Sequence, residues 1–252
     1  MPKGDRPVPV PSRELTGVFR VLRATVIPAM WLIVGMRREG VANLPREGAF
    51  VLTPNHTSNI DPIVMGIATF RAGRTPHFLG KASLFRIPVV GALLRSTRQI
   101  PVERAGGSRA NSPLDAAAKV AASGSGVIVY PEGTLTRDPD VWPMRGKTGA
   151  VRIALAAGIP LIPVAHWGTE RFLGPYARFP QLVPRVKITI RYGAPVDLSE
   201  FAGRPLDSAT LTAATEKVMA AITGLVAELR EETPPVTRWD PADHGQSEYG
   251  RP

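Results

Sequence analysis

The chain has no cysteine among its 252 residues. This absence excludes a disulfide framework, a thiolate nucleophile and a cysteine-ligated metal, and it is consistent with a reducing compartment. Aromatic side chains make up only 6% of the sequence, which disfavours the stacking platforms that bind single-stranded nucleic acid. The 252 residues fit one domain with a substantial core.

Metal-ligand spacing is also missing. The sequence has four histidines, and none stands at ligand spacing from another histidine or from a pair of acidic residues. They are His56, His77, His166 and His244. We therefore expect neither a structural metal nor a bound cofactor.

No hydrophobic run is long enough to cross a bilayer. The charge-free part of the apolar N-terminal segment, residues 24–36, has thirteen residues, whereas a spanning helix needs about 20. No small-x-small cleavage site follows it, so it does not resemble a signal peptide. We expect residues 13–38 to form an apolar, amphipathic helix at a membrane interface, with Trp31 at headgroup depth. The alternative is a helix packed on the protein's own core.

The net charge of +10 is unevenly distributed. Residues 71–109 contain eight basic side chains and one acidic side chain. Because these basic residues alternate with bulky apolar ones, they suit an anionic membrane surface better than nucleic acid, and we expect no nucleic-acid partner. The two ends are rich in proline, glycine and polar residues, which predicts disorder for residues 1–12 and for the acidic tail 233–252.

Strand-like and helix-like segments alternate between these ends, over residues 39–232. We predict strands near 49–53, 76–79, 99–103, 126–130, 161–166 and 185–192, and helices near 60–70, 83–95, 112–123, 147–157 and 208–231. This alternation predicts a single α/β domain with a largely parallel central sheet flanked by helices.

A histidine and an aspartate stand five positions apart, directly after the apolar segment 49–52. On one continuous helix their side chains would point ~140° apart. They can meet only if His56 lies in a turn and Asp61 lies in the first turn of the next helix, for which Asn59 is a suitable N-cap. A carboxylate that holds an imidazole leaves its second nitrogen free to take a proton from an alcohol. The alternative is a capping aspartate beside an incidental surface histidine.

A second cluster follows the predicted buried strand 127–130, at the kind of strand end where α/β folds place their chemistry. It consists of Pro131, Glu132, Gly133 and Thr134, with Arg137 close behind. Together with the first cluster it resembles the glycerolipid acyltransferase family, which includes the lysophosphatidic acid acyltransferases. Four blocks stand in the family's order across residues 35–195, namely 55–61, 100–104, 131–134 and 159–164.

The resemblance implies a glycerol-3-phosphate acyltransferase-like fold and acyl transfer from acyl-CoA or an acyl carrier protein to lysophosphatidic acid. The product would be phosphatidic acid, made at the cytoplasmic face of the cell membrane. His56 would be the general base, and Asp61 would orient it. The predicted substrate-binding residues are Arg104, Glu132, Gly133, Thr134, Arg137 and Lys81, and Lys147 is a secondary candidate.

Two departures from the family's pattern concern the acceptor. After Thr134 the family's arginine is displaced to Arg137, and residues 96–99 lack a glycine that often precedes the second block. Another lysophospholipid or a glycolipid is therefore the alternative acceptor. A non-catalytic membrane-binding module is a more distant alternative, and it would have no need of the pair His56 and Asp61.

Overall fold

Strands and helices alternate along the structure, as the sequence predicts. The computed structural model describes residue 10 and residues 17–102, 113–182 and 185–247. The α-helices are α1 Gly17–Ile33, α2 Asp61–Arg71, α3 Pro88–Ser96, α4 Pro113–Ser123, α5 Gly149–Ala157, α6 Thr169–Phe172 and α7 Ser208–Arg230. The strands are β1 Gly35–Glu39, β2 Phe50–Pro54, β3 His77–Lys81, β4 Ile100–Val102, β5 Gly126–Ile128, β6 Leu161–Trp167 and β7 Lys187–Tyr192. Short 3₁₀ helices span Val41–Asn43, Ala82–Arg86, Ser199–Phe201 and Pro241–His244.

The strands form one seven-stranded sheet in the order β1-β7-β6-β2-β5-β3-β4. Neighbours are parallel except β6 and β7, which are antiparallel. The predicted fold class is thus confirmed. The five strands β2 to β6 run in the same direction. Their carboxyl ends therefore lie at one side of the sheet, which we call the carboxyl edge. Strands β7 and β1 begin at that edge, because β7 runs against β6 and β1 runs with β7.

Hydrophobic cores lie on both faces of the sheet. Along β2, Val51 packs into the cluster formed with α4, α5 and α7, while Phe50 and Leu52 pack into the cluster formed with α1 and α2. A strand buried on both faces needs a continuous apolar run. The segment 49–52 has that pattern, and it holds the following turn rigidly at the carboxyl edge.

The pairing of β2 with β5 depends on a glycine. Gly126 is opposite Phe50 in the parallel ladder, and an added Cβ would lie 2.0 Å from the Phe50 ring. We expect Gly126→Ala to lower the free energy of unfolding by about 1–3 kcal/mol through overpacking, measured from urea denaturation midpoints. Gly224→Ala is the matched control, because an added Cβ there meets nothing within 4 Å in the described chain. Equal midpoints for the two variants would contradict the prediction.

The N-terminal segment differs from the continuous helix predicted for residues 13–38. Helix α1 ends at Ile33, and residues 35–39 form strand β1, which pairs with β7. The Gly35 N–H donates to the carbonyl oxygen of Val186, 2.8 Å away. The segment is therefore an edge strand of the sheet and not part of the helix. The Trp31 side chain and residues 13–16 lie outside the described part of the structure.

Helix α1 packs on the protein's own core, as the second of the two alternatives holds, but not with its whole surface. Phe19 and Met30 are buried against the domain, whereas Val21 and Leu32 are exposed to solvent. The helix therefore packs on the core with one face and presents apolar side chains with another. Within the described ranges, no helix has the length and apolar character needed to cross a bilayer.

The predicted disorder of residues 233–252 needs correction up to residue 247. The Arg145 N–H donates to the Trp239 carbonyl at 2.9 Å, and the Trp239 ring stacks on His244 at 3.4 Å between ring centroids. These tertiary contacts hold a segment whose composition alone indicates disorder. The remaining tail, and residues 1–12 apart from residue 10, lie outside the described residues.

Candidate active site

His56 lies at the carboxyl edge, in the turn between β2 and α2. Its Nδ1 is 2.9 Å from Oδ2 of Asp61, and Asp61 is the first residue of α2. The two side chains thus meet across a turn and a helix start, as the spacing predicts. Because Nδ1 faces a buried carboxylate, it carries the proton and Nε2 remains available as an acceptor. The arrangement is that of an oriented general base.

The Asp61 carboxylate also organises the turn itself. Its Oδ2 accepts hydrogen bonds from the backbone N–H groups of Thr57, at 2.7 Å, and Ser58, at 2.8 Å. The predicted N-cap at Asn59 is wrong, because the cap position is Ile60 and Asn59 is exposed. Asp61 Oδ2 instead accepts from backbone N–H groups of the turn that precedes α2, and the cap position makes no side-chain cap hydrogen bond.

A second histidine, His166 in β6, adjoins the pair. It is fully buried, and its Nε2 lies 2.8 Å from the Asn55 carbonyl oxygen and 3.6 Å from Asp61 Oδ2. Burial raises the pKa of Asp61. The electrostatic interaction with His166 and the hydrogen bond from His56 together outweigh burial, so the pKa lies below its usual value. Asp61 is consequently ionised at neutral pH and can stabilise a protonated His56.

Glu132 lies beneath His56 and is fully buried. Its Oε1 accepts from the His56 backbone N–H at 2.8 Å, and its Oε2 accepts from the Met144 N–H at 3.1 Å. Burial raises the pKa of Glu132 to about 8, against the two backbone hydrogen bonds, which lower it. The predicted substrate contact of Glu132 is corrected by this geometry, because both oxygens bind backbone and none of the side chain reaches the surface.

Three other predicted substrate-binding residues, Gly133, Thr134 and Arg137, lie in the turn after β5. Gly133 has a φ of 73°, a value that glycine tolerates best, and the stem of Lys147 covers it, 3.1 Å from where a Cβ would stand. Thr134 is half-buried and Arg137 is buried. Arg137 follows directly on Thr136, whose N–H donates to the His56 carbonyl at 2.7 Å.

Two predicted residues cannot be placed by their side chains. Lys81 ends β3, so its backbone lies at the carboxyl edge, but its side chain is outside the description. Arg104 lies outside the described residues altogether. Among the residues that are described, no group of three or more His, Cys, Asp or Glu side chains is placed to hold a metal ion.

An apolar cavity of about 530 Å³ opens beside α2. Helices α1, α2 and α3 and strand β3 contribute most of its lining. Pro62 and Ile63, which directly follow Asp61, line its near end. The remaining lining residues are Phe19, Val26, Ile27, Gly66, Ile67, Phe70, Pro76, Phe78, Leu93, Leu94, Thr97 and Gln99. A long apolar group can therefore lie with one end next to the His56 turn.

Comparison with known proteins identifies the family of the chain. The model of a family described as acyltransferase matches residues 36–167, which is more than half of the chain. The chain belongs to the acyltransferase family. The family predicted from the sequence blocks is thus confirmed, and the matched range contains His56, Asp61 and His166.

Several relatives of this acyltransferase are named 1-acyl-sn-glycerol-3-phosphate acyltransferase. The Bacillus subtilis protein is 30% identical over 200 residues, covering 77% of this chain and 90% of that protein. The Borreliella burgdorferi protein is 30% identical over 155 residues, covering 61% of this chain and 60% of that protein. The crystal structure of the Thermotoga maritima 1-acyl-sn-glycerophosphate acyltransferase, PlsC, is 25% identical with a TM-score of 0.61, and the match covers 86% of this chain and 81% of that one.

Two further contacts in this acyltransferase are not apparent from the sequence blocks. The Asn55 side chain pairs with the backbone of His166, donating from Nδ2 at 3.1 Å and accepting at Oδ1 at 2.9 Å. The Tyr130 ring stacks on His56, with 4.1 Å between ring centroids. Asn55 therefore ties the turn to β6, and Tyr130 fixes the plane of the imidazole. Tyr130 does stand next to the second cluster in sequence, but only the adjacency of β2 and β5 gives it a role.

Proposed function

We propose that the protein is a 1-acylglycerol-3-phosphate O-acyltransferase. It transfers a fatty acyl group from an acyl thioester, carried on coenzyme A or an acyl carrier protein, to lysophosphatidic acid and yields phosphatidic acid. The observation that carries the proposal is the 2.9 Å contact of His56 Nδ1 with Asp61 Oδ2 at the end of an apolar cavity. The names of the relatives support the acceptor.

The chemistry needs only a base and a polarised thioester. His56 Nε2 accepts the proton of the acceptor's hydroxyl as its oxygen attacks the thioester carbonyl. The tetrahedral intermediate collapses, the carbon–sulfur bond breaks, and the departing thiolate takes the proton from the imidazolium. Asp61 stabilises the positive charge on the imidazolium until the thiolate takes the proton. An acyl-enzyme is unnecessary because the thioester is already activated.

The glycerophosphate of the acceptor binds at the carboxyl edge in this proposal. Lys81, Arg104 and Arg137 are its proposed ligands, with Lys147 reaching across Gly133. Arginine binds phosphate with two parallel hydrogen bonds, and the bare backbone of a glycine lets a ligand approach closely. Arg137 is buried. A phosphate bound to it must therefore enter the carboxyl edge beside the His56 turn and cannot stay on the outer surface.

The apolar cavity holds an acyl chain in this proposal. Its volume of about 530 Å³ lies within the range of roughly 300–1,000 Å³ that is usual for ligand sites. Its near end at Pro62 and Ile63 places the first carbons of the chain close to His56. The far end of the cavity then limits the chain length.

Filling the cavity from Gly66 should shorten the preferred acyl chain. Gly66 lines the cavity on α2, and a Cβ there meets only ordinary contacts, the nearest at 3.8 Å. We expect Gly66→Leu to shift the optimum toward chains several carbons shorter, measured as kcat/KM across a series of acyl thioesters. Gly66→Ala is the matched control and should keep the original optimum. An unchanged optimum in Gly66→Leu would place the acyl chain elsewhere.

The face that carries the cavity is also the proposed membrane surface. Helix α1, helix α3 and the residues directly before α3 expose apolar side chains beside the cavity, and exposed arginines accompany them. The apolar ones are Val21, Leu32, Ile87, Val89, Val90 and Leu93, and the arginines are Arg20, Arg86 and Arg95. Apolar and basic side chains together suit the headgroup region of an anionic bilayer, here the cytoplasmic face of the cell membrane.

The decisive experiment is thiol release from palmitoyl-coenzyme A by the purified protein, with and without 1-acylglycerol 3-phosphate. Release that depends on this acceptor is the expected result. Release that instead depends on another lysophospholipid or a glycolipid would replace the acceptor and keep the chemistry. Absence of release with every lysolipid, using either coenzyme A or acyl carrier protein thioesters, would overturn the proposal in favour of a binding module.

A further inference from the structure

The connection from β6 to β7 emerges beside the catalytic turn. We call residues 173–182 the β6–β7 loop. At its start, the Leu173 carbonyl accepts from Ser58 Oγ at 2.6 Å, and Ser58 is two residues beyond His56. Near its end, the Gln181 N–H donates to the Phe172 carbonyl at 2.7 Å. These hydrogen bonds hold the two ends of the loop close together at the carboxyl edge.

The loop exposes apolar side chains in strongly basic surroundings. Phe179 is 81% exposed and Leu182 is 55% exposed. Residues 170–187 include four basic side chains, Arg171, Arg178, Arg185 and Lys187, and one acidic side chain, Glu170, which pairs with Arg171 at 3.5 Å. A single exposed apolar residue is common on any surface, but an exposed phenylalanine and leucine in mainly basic surroundings are typical of a contact with an anionic lipid surface.

The chain just after the loop, at Arg185, contacts the end of α1, which presents another exposed apolar side chain. Arg185 Nη2 donates to the Val34 carbonyl at 3.0 Å, and Leu32, two residues earlier, is 83% exposed. The sheet order places β6 and β7 on one side of β2, and β3 with the following helix α3 on the other side. His56, directly after β2, thus lies between the loop and α3.

We propose that the β6–β7 loop is a further contact with an anionic bilayer, on the side of β2 opposite α3. The inference rests on the proposed function, because an acceptor lipid must pass from the bilayer to His56. With lipid contacts on both sides of β2, the carboxyl edge faces the membrane, and the acceptor enters between them. A bilayer fits better than an acidic carrier protein, because the loop exposes two large apolar side chains, Phe179 and Leu182, and not basic side chains alone.

The test is binding of the full-length protein to sedimented vesicles of phosphatidylglycerol and phosphatidylcholine. We expect the double variant Phe179→Ser with Leu182→Ser to partition at least about tenfold more weakly, since two apolar side chains no longer enter the lipid. Val236→Ser is the matched control and should bind like the wild type, because Val236 is a fully exposed apolar residue in the C-terminal segment. Arg178→Glu tests the loop without removing an apolar side chain, and should weaken binding to anionic vesicles but not to neutral ones.

These measurements require no acyl transfer, so they remain interpretable if the proposed activity fails. Wild-type partition for both the double variant and Arg178→Glu would overturn the proposal. So would a loss of affinity for an acyl carrier protein with vesicle binding unchanged, which would assign the loop to a protein partner. If the double variant fails to fold, Arg178→Glu alone decides between these outcomes.

Discussion

We expect His56→Ala to lower kcat by roughly 10²–10⁴-fold, the usual contribution of a well-placed general base. The variant loses the imidazole that Asp61 holds in place to take the hydroxyl proton, while the cavity and the carboxyl edge stay intact. The KM for the acyl thioester should change little, because His56 acts on the hydroxyl in the transition state and not on the bound chain. Steady-state kinetics with a thiol-detecting reagent measure both constants.

Asn59→Ala is the matched control for His56→Ala. Asn59 lies in the same turn, is exposed, and is not the N-cap of α2, so its removal should leave kcat within about twofold of the wild type. Vesicle partition should be unchanged in both variants, which separates catalysis from membrane binding. Activity of His56→Ala within tenfold of the wild type would mean that another group takes the proton.

Local patterns in the sequence predict most of the elements correctly. The apolar runs and the turn residues between them locate six of the seven strands to within a few residues. The missing strand is β1, Gly35–Glu39, because it contains two arginines and a glutamate and lacks the apolar alternation of a typical strand. Its strand conformation comes from pairing with β7, about 150 residues away along the chain. Pairing over that separation leaves no local signal.

The same distinction between local and distant contacts holds for the site. The pair His56 and Asp61 is local, and its spacing was enough to predict the turn and the helix start. Glu132 and His166 reach the turn from positions 76 and 111 residues away, because β5 and β6 are the two neighbours of β2. Without the strand order, Glu132 appears as a substrate ligand, and the sequence gives no reason to single out His166.

Removal of the Glu132 carboxylate should have the largest effect on stability. Glu132→Ala leaves the backbone N–H groups of His56 and Met144 buried without an acceptor, and each costs about 1–3 kcal/mol. We expect a loss of roughly 3–5 kcal/mol in the free energy of unfolding and a large fall in kcat, because the His56 backbone is no longer fixed. Urea denaturation measures the first effect. Thr134→Ala, a half-buried neighbour, is the control and should cost much less.

The pH dependence of stability provides an independent test of Glu132. Burial raises the pKa of Glu132 to about 8 from its usual 4.5, so between these values the folded protein holds a proton that the unfolded chain has released. The free energy of unfolding should therefore fall as pH rises through this window, by up to about 1.4 kcal/mol per pH unit from this group. Glu132→Gln cannot titrate, and its urea midpoint should lose that slope although it starts lower, since an amide accepts from only one of the two N–H groups. If Glu132→Gln keeps the wild-type slope, the Glu132 carboxyl does not titrate in this window and binds the two amides as a carboxylate throughout.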